Sequence, residues 1–225
     1  MTQNKVLINR AAKTEQIKHV ARLCLANDGA SALSLREIAR QMGESSSALY
    51  RYFPNRDALI TALIIDAYND LGSAAEKAWR VTQSKTPIDQ FLAVSRAIRF
   101  WSVAHKYEFA LIFGSPIPNY AAPESTIAPA ARIPTVLANI ARSGKPSASN
   151  FGLVSLRPRV LDVGVKDLLP GMNADQMARC LMAWSSIFGL LSFELFGHFV
   201  KSVAQSESYF LSAIYEIGLQ LGLDQ

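Results

Sequence analysis

Only two cysteines occur in the 225 residues, Cys24 and Cys180, far apart and outside any CxxC or metal-ligand spacing. That excludes a disulfide-stapled fold and a cysteine zinc site, and it reads as two buried thiols of a reducing compartment. The opening stretch MTQNKVLINRAAKTEQ lacks an apolar core and a small-residue cleavage pattern, so no secretory leader is expected. Long apolar runs are missing as well. The longest uncharged helical-looking stretch, Cys180 to Phe193, has 14 residues, whereas a bilayer requires roughly 20. These absences predict a cytoplasmic chain with no membrane partner. Catalytic motifs are equally scarce: no GxSxG, HExxH, P-loop or GxGxxG occurs, and no base accompanies the serine cluster. His105 and Glu108 are spaced to share a helical face, but no further ligand joins them. His19 and His198 have no motif context. No enzyme, metal site or cofactor is expected.

What is present is apolar substance and a lopsided charge. Half of the residues are hydrophobic and 18% are charged, enough to bury a substantial core. The net charge is +5, and residues 1–57 hold nine Lys/Arg against five Asp/Glu. Nearly all the positive excess therefore lies in the first quarter, which suits a polyanionic partner.

Strand signals are nearly absent, and apolar residues recur at spacings of three and four throughout. The expected fold is all-α with about nine helices. A first helix is expected from about Arg10 to Ala26. A second opens at Ser34, where SLRE predicts a capping box with Glu37, and ends at Gly43. A short helix follows, then a long one from about Arg56 to Val81. Further helices are expected from Pro87, through EFALIF to Gly114, around Ala130 to Arg142, from Asn173 to about Val200, and from Ser206 to Leu221. SPIPNYAAPESTIAP, with four prolines in 15 residues, predicts a loop. SGKPSASN predicts an exposed linker, and the conformation of residues 143–170 stays open.

Residues 35–52 obey the steric grammar of a helix-turn-helix. Ala39 is small where the second helix must cross the first, Gly43 supplies positive φ at the turn, and Leu49 and Tyr52 are placed to touch the first helix. The second helix reads ESSSALYRYF, an odd composition for a packing helix. It fits an element lying in a major groove, where short polar groups approach base edges and phosphates. Ser45, Ser46 and Ser47 can cap the helix and donate to phosphates. Tyr50 and Arg51 point outward, with Arg51 free to read a guanine or clamp a phosphate. Tyr52 and Arg56 are set for the DNA backbone. Ser34 and Arg36 complete the candidate DNA-binding set.

The run LSLREIARQMGESSSALYRYFPNRDALI resembles the DNA-binding signature of TetR-type transcriptional regulators. The resemblance implies a homodimer, operator binding by the first three helices, and a larger helical domain that dimerises and binds an inducer. It divides the chain into a DNA-binding domain, 1–56, and a dimerisation and ligand domain, 57–225. FWSVAHKYEFALIFGSPIPNYAAP and AWSSIFGLLSFELFGHF resemble a subgroup whose Trp-x-x-x-His-Gly pattern stands here as Trp184, Phe188 and Gly189, with Phe in place of His. The last two helices would then form a four-helix interface with their symmetry mates, through Leu191, Leu195, Phe196, Phe210, Ile214, Ile217 and Leu221. An apolar ligand cavity would be lined by Trp101, Phe109, Phe113, Met182, Trp184 and Phe188, with His105 as a polar handle. The function expected is a sequence-specific regulator of transcription, a repressor released from near-palindromic operator DNA by a small apolar inducer. The alternative is a constitutive DNA-organising protein without an effector.

Overall fold

A computed structural model of the protein describes residues 2–144 and 171–224. The open segment 151–170 and most of the expected linker lie outside them. Among the described residues there are nine α-helices and no strand. They are α1 (Thr2–Asp28), α2 (Leu35–Gln41), α3 (Ser46–Leu49), α4 (Arg56–Val81), α5 (Pro87–Ala104), α6 (Lys106–Phe113), α7 (Ile127–Ala141), α8 (Ala174–Leu195) and α9 (Ser206–Gln220).

The helix boundaries follow local chemistry. Thr86 caps α5 by accepting from the Asp89 amide at 3.3 Å, with Pro87 at the first helical position. Asn173 and Gln176 form a reciprocal capping box at the start of α8, at 2.9 and 3.0 Å. Helix α8 stops at Leu195, short of the expected Val200. Gly197 adopts φ +84°, and the amides of Gly197 and His198 turn back to the carbonyls of Glu194 and Phe193. That is a Schellman stop. Helix α1 starts at Thr2, well before the expected Arg10. From residue 7 on, the first buried side chain is Ile17 and residues 7–12 are exposed, so these turns propagate from the packed ones without a stripe to announce them. The proline-rich run ends as a loop sooner than expected. Helix α7 begins at Ile127 and takes Pro129 into its first turn, where an amide proton has no intrahelical partner to lose. Gly144, expected in an exposed linker, is buried, and an added Cβ there would meet the Leu221 carbonyl oxygen.

The chain divides into two compact units, Met1–Ala67 with Lys106–Thr126, and Tyr68–His105 with Ile127–Gln225. Helix α4 crosses from one to the other. The first unit packs α1 against α2, the following turn and α6 around Ile17, Ala21, Leu35, Ile38, Leu49, Leu59 and Leu63. The second packs α5 against α7, α8 and α9, with Phe91, Ile98, Ile187 and Phe210 fully enclosed. Gln176–Leu195, with a mean hydropathy of 1.2, is long and apolar enough to cross a membrane by length and composition. Its charged ends are occupied inside the bundle. Arg179 donates to the Gln220 carbonyl at 3.0 Å, and Glu194 accepts two bonds from Arg99 at 2.6 and 3.0 Å. The helix is a bundle element.

Candidate nucleic-acid interface

Residues 33–56 form two short helices around one glycine. Gly43 sits at φ +68°, its amide bonded to Arg40 O at 3.2 Å and the Glu44 amide to Ala39 O at 2.9 Å. The space beside Gly43 is open, so the glycine is required by its backbone conformation and not by crowding. At the start of α2, Ser34 accepts from the Arg36 amide at 3.3 Å. The expected Ser34–Glu37 box does not form. Glu37 is engaged instead by Arg40, at 2.6 and 2.9 Å, and by Gln41 at 2.9 Å. Hydrogen bonds from Arg40 and then Gln41 hold the Glu37 carboxyl down to about 2.

Helix α3 covers Ser46–Leu49, and its hydrogen bonding continues as tight turns to Phe53. Leu49 and Phe53 are buried, which fixes one face. Ser45, Ser47, Tyr50 and Arg51 are exposed, while Ser46, Ala48 and Tyr52 are half-buried. Ser45 makes no side-chain cap and instead shares a 3.0 Å contact with Ser47. Among the described residues, the guanidinium groups of Arg36 and Arg51 touch no carboxylate within ion-pair distance. Every other charged group near this turn that shows a partner is braced. Lys13 of α1 pairs with Glu44. Lys18 and Arg22 meet Asp66 of α4 at 2.8 and 2.7 Å. Burial pushes the Lys18 ammonium down, but bonds and charge from Asp66 and Glu15 outweigh it and leave it above its ordinary value.

Arg56, expected on the DNA backbone, also has partners within the protein. It donates to three carbonyls of the α1–α2 connection, Ala30 at 2.8 Å, Leu33 at 2.9 Å and Ser31 at 3.4 Å. The connection holds a single 3-10 turn, Ala30–Ala32, whose Ala30 carbonyl also accepts from the Leu33 amide, and Arg56, in the first turn of α4, braces it from the side. Asn55 caps α4 by accepting from the Ala58 amide at 2.8 Å. Sequence reasoning missed Arg10, whose Nη2 donates to Arg51 O at 3.3 Å. Its only signal is a basic residue at the expected start of α1.

Of the expected dimer residues, Leu191, Phe210, Ile214 and Leu221 are buried in the protomer's own core, whereas Ile217 and Leu195 are half-buried and Phe196 is exposed. Bundle packing claims one stripe of each helix, and the other faces remain. Of the expected ligand residues, Phe109 and Phe113 belong to the first unit, their rings tilted against each other at 5.2 Å. Trp101, His105, Met182, Trp184 and Phe188 belong to the second. There the rings of Trp101 and His105 stack at 4.9 Å, and Trp184 meets Phe188 edge-on at 6.0 Å. Cys24 and Cys180 are buried free thiols, and burial pushes Cys180 up to about 11. No cluster of three metal-ligating side chains occurs among the described residues.

Known proteins carry the same pattern. Residues 17–63 match the model of bacterial regulatory proteins of the tetR family, and residues 91–215 match the Tetracyclin repressor-like C-terminal domain. The HTH-type transcriptional regulators Rv1816 of Mycobacterium tuberculosis and Mb1846 of Mycobacterium bovis are each 32% identical over 189 residues, covering 82% of this chain and 81% of theirs. The crystal structure of a regulatory protein, SCO4313, matches with a TM-score of 0.76 at 31% identity, covering 93% of this chain and 96% of its own. PfmR, a TetR family transcriptional regulator from Thermus thermophilus, shares the fold at a TM-score of 0.60 and 19% identity, over 93% of this chain and 99% of its own. The chain belongs to the TetR family and is a DNA-binding transcriptional regulator, not an enzyme.

Proposed function

We propose that the protein is a dimeric repressor of the cytoplasm, released from near-palindromic operator DNA by a small apolar ligand. The observation that carries the DNA reading is the division of α3 and its following turn. Leu49 and Phe53 anchor one side, while Ser45, Ser47, Tyr50 and Arg51 are turned to solvent. Short hydroxyls, a phenol and an uncommitted guanidinium suit a groove about 12 Å wide. Ser46, Tyr52, Ser34 and Arg36 flank that face, and Arg56 serves it from behind by holding the α1–α2 connection. Two copies would read half-sites roughly 34–36 Å apart.

The dimer reading rests on the family habit and on rings that the protomer leaves uncovered. Phe193 is 52% exposed, Phe196 and Tyr209 each 45%. Phe193, Phe199 and Tyr209 form a chain of ring contacts at 5.6 and 5.4 Å. Gly189, on α8, has open space where a Cβ would stand, so a partner helix can approach closely there. The ligand reading rests on the family resemblance and on the apolar, aromatic character of Trp101, Met182, Trp184 and Phe188 in the second unit, where Trp101 stacks on His105 and Trp184 meets Phe188.

Retention of a duplex from the gene's own upstream region against random competitor tests the reading. Tyr50→Ala is expected to weaken operator binding by about 5- to 150-fold, from about 1–3 kcal/mol of lost contact, and to leave the dimer intact. A ligand identified by thermal shift should weaken retention about 30- to 150-fold, through about 2–3 kcal/mol of differential affinity for the two states. Equal retention of every duplex, unaffected by any stabilising ligand, would favour a constitutive DNA-organising protein.

A further inference from the structure

Early in α1, residues 7–12 are exposed in succession, and from residue 7 on the first fully enclosed side chain is Ile17. A helical stretch that contributes no core is kept for another reason or for none. Its surroundings supply a reason. Asn9 and Arg10 of α1, with Arg51 and Tyr52 at the end of the recognition element, line a cleft of about 340 Å³. Arg10 reaches across it to the Arg51 carbonyl at 3.3 Å, which joins α1 to the tail of α3.

The chemistry of the cleft is one-sided. Its lining holds two guanidinium groups, one phenol and one amide, and no carboxylate. Arg10 uses one Nη2 bond on Arg51 O and retains its other N–H donors. The Arg51 side chain has no hydrogen bond or ion pair to any described residue, and neither the Tyr52 hydroxyl nor the Asn9 amide has a side-chain partner among them. Two guanidinium groups lining one cleft without a carboxylate leave positive charge that an entering anion would neutralise. Planar guanidinium forks match the oxygens of a phosphate. Arg56 differs, since its Nε and Nη2 already donate to carbonyls and its Nη1 faces Asp57 at 3.8 Å.

Resting on the DNA-binding reading above, we infer that this cleft holds one backbone phosphate of the bound DNA, gripped jointly by Arg10 and Arg51. Helix α1 is then a DNA-contacting element in its own right, and Arg51 positions the protein on the backbone while Tyr50 and the serines face the bases. A phosphate contact carries no sequence information, so its loss weakens all duplexes alike.

The test uses the full chain with two duplexes, one from the upstream region and one of random sequence, titrated over a range of salt. Arg10→Gln and Arg51→Gln should each lower affinity by the same factor on both duplexes. The double variant should reduce the salt slope by about 0.9 per protomer, the signature of one released counterion contact. Arg10→Lys should restore most of the slope. Circular-dichroism melting should match the wild type, since both side chains are exposed. Lower affinity at an unchanged salt slope would overturn the inference, because Arg10 would then act only as a brace on the Arg51 carbonyl. Loss confined to the upstream duplex on Arg51→Gln would overturn it too, by making Arg51 a base reader. If the wild type retained neither duplex, the DNA-binding reading itself would fail, a result these variants cannot imitate.

Discussion

The two units leave opposite kinds of chemistry uncovered. In the second unit Arg99 and Arg132 are committed to partners. Arg99 meets Glu194 at 2.6 Å and Glu207 at 3.6 Å, and Arg132 of α7 spreads its donors over Glu76, Asn69 and Ser73 of α4 at 2.7–3.0 Å. What that unit exposes is aromatic: Phe193, Phe196 and Tyr209, with Phe100 at 77%. In the first unit the exposed side chains of α3 and its following turn are hydroxylic, phenolic and cationic, although Leu7, Ile8 and Leu23 of α1 are exposed as well. A folded protein completes its internal pairings wherever it can. Side chains left incomplete in one consistent chemical style therefore mark where a partner completes them, an anionic one for the first unit and an apolar one for the second.

The sharpest way to break the comparison is Leu49→Ala. Leu49 is fully buried and anchors α3, so the change should destabilise the first unit by about 2–5 kcal/mol. Duplex binding should vanish while sedimentation still reports the wild-type assembly. If assembly were lost as well, the units would not be separable in function. A smaller and complementary effect is expected from Phe193→Lys with Phe196→Lys. These side chains lie on the exposed side of the protomer, so melting should change little while the sedimentation coefficient falls to that of a monomer. Specific retention should then drop, because a single recognition element reads too few bases. An unchanged dimer would move the interface elsewhere.

The smallest effect is a pH dependence of the second unit. Hydrogen bonds from Arg132 hold the Glu76 carboxyl below its ordinary 4.5. A depressed carboxylate contributes stability that is fully present above 4.5 and fades as pH falls below it. The difference in melting temperature between wild type and Arg132→Met, worth up to about 1 kcal/mol for a partly exposed pair, should therefore be larger at neutral pH than in acid. A gap that stays constant with pH would mean that Arg132 works through packing and its bonds to Asn69 and Ser73.

The helices were legible because apolar spacing, caps and glycine stops are local. Pro87, Asn173 and Gly43 mark boundaries by their own conformational limits, and the recognition element stood out through its odd composition. At the Ser34 cap, competition between partners decided against the expected box. Glu37 can cap Ser34 or bind Arg40, and two bonds from a neighbouring guanidinium outweigh one from an amide. The dimer stripes were real apolar stripes, but a helix in a bundle has two sides, and periodicity does not say whose core a stripe fills.

The sequence by itself determined the helical class, the turn at Gly43 and the placement of the positive charge, because these depend on residues within a turn or two of one another. Only the tertiary structure decided which arginines remain free. Arg56 is bonded to carbonyls more than 20 residues away, and Arg10 reaches the Arg51 carbonyl, in the turn after α3, 41 residues on. Charge is a property of a residue, whereas availability depends on every group the fold brings within about 3 Å of it.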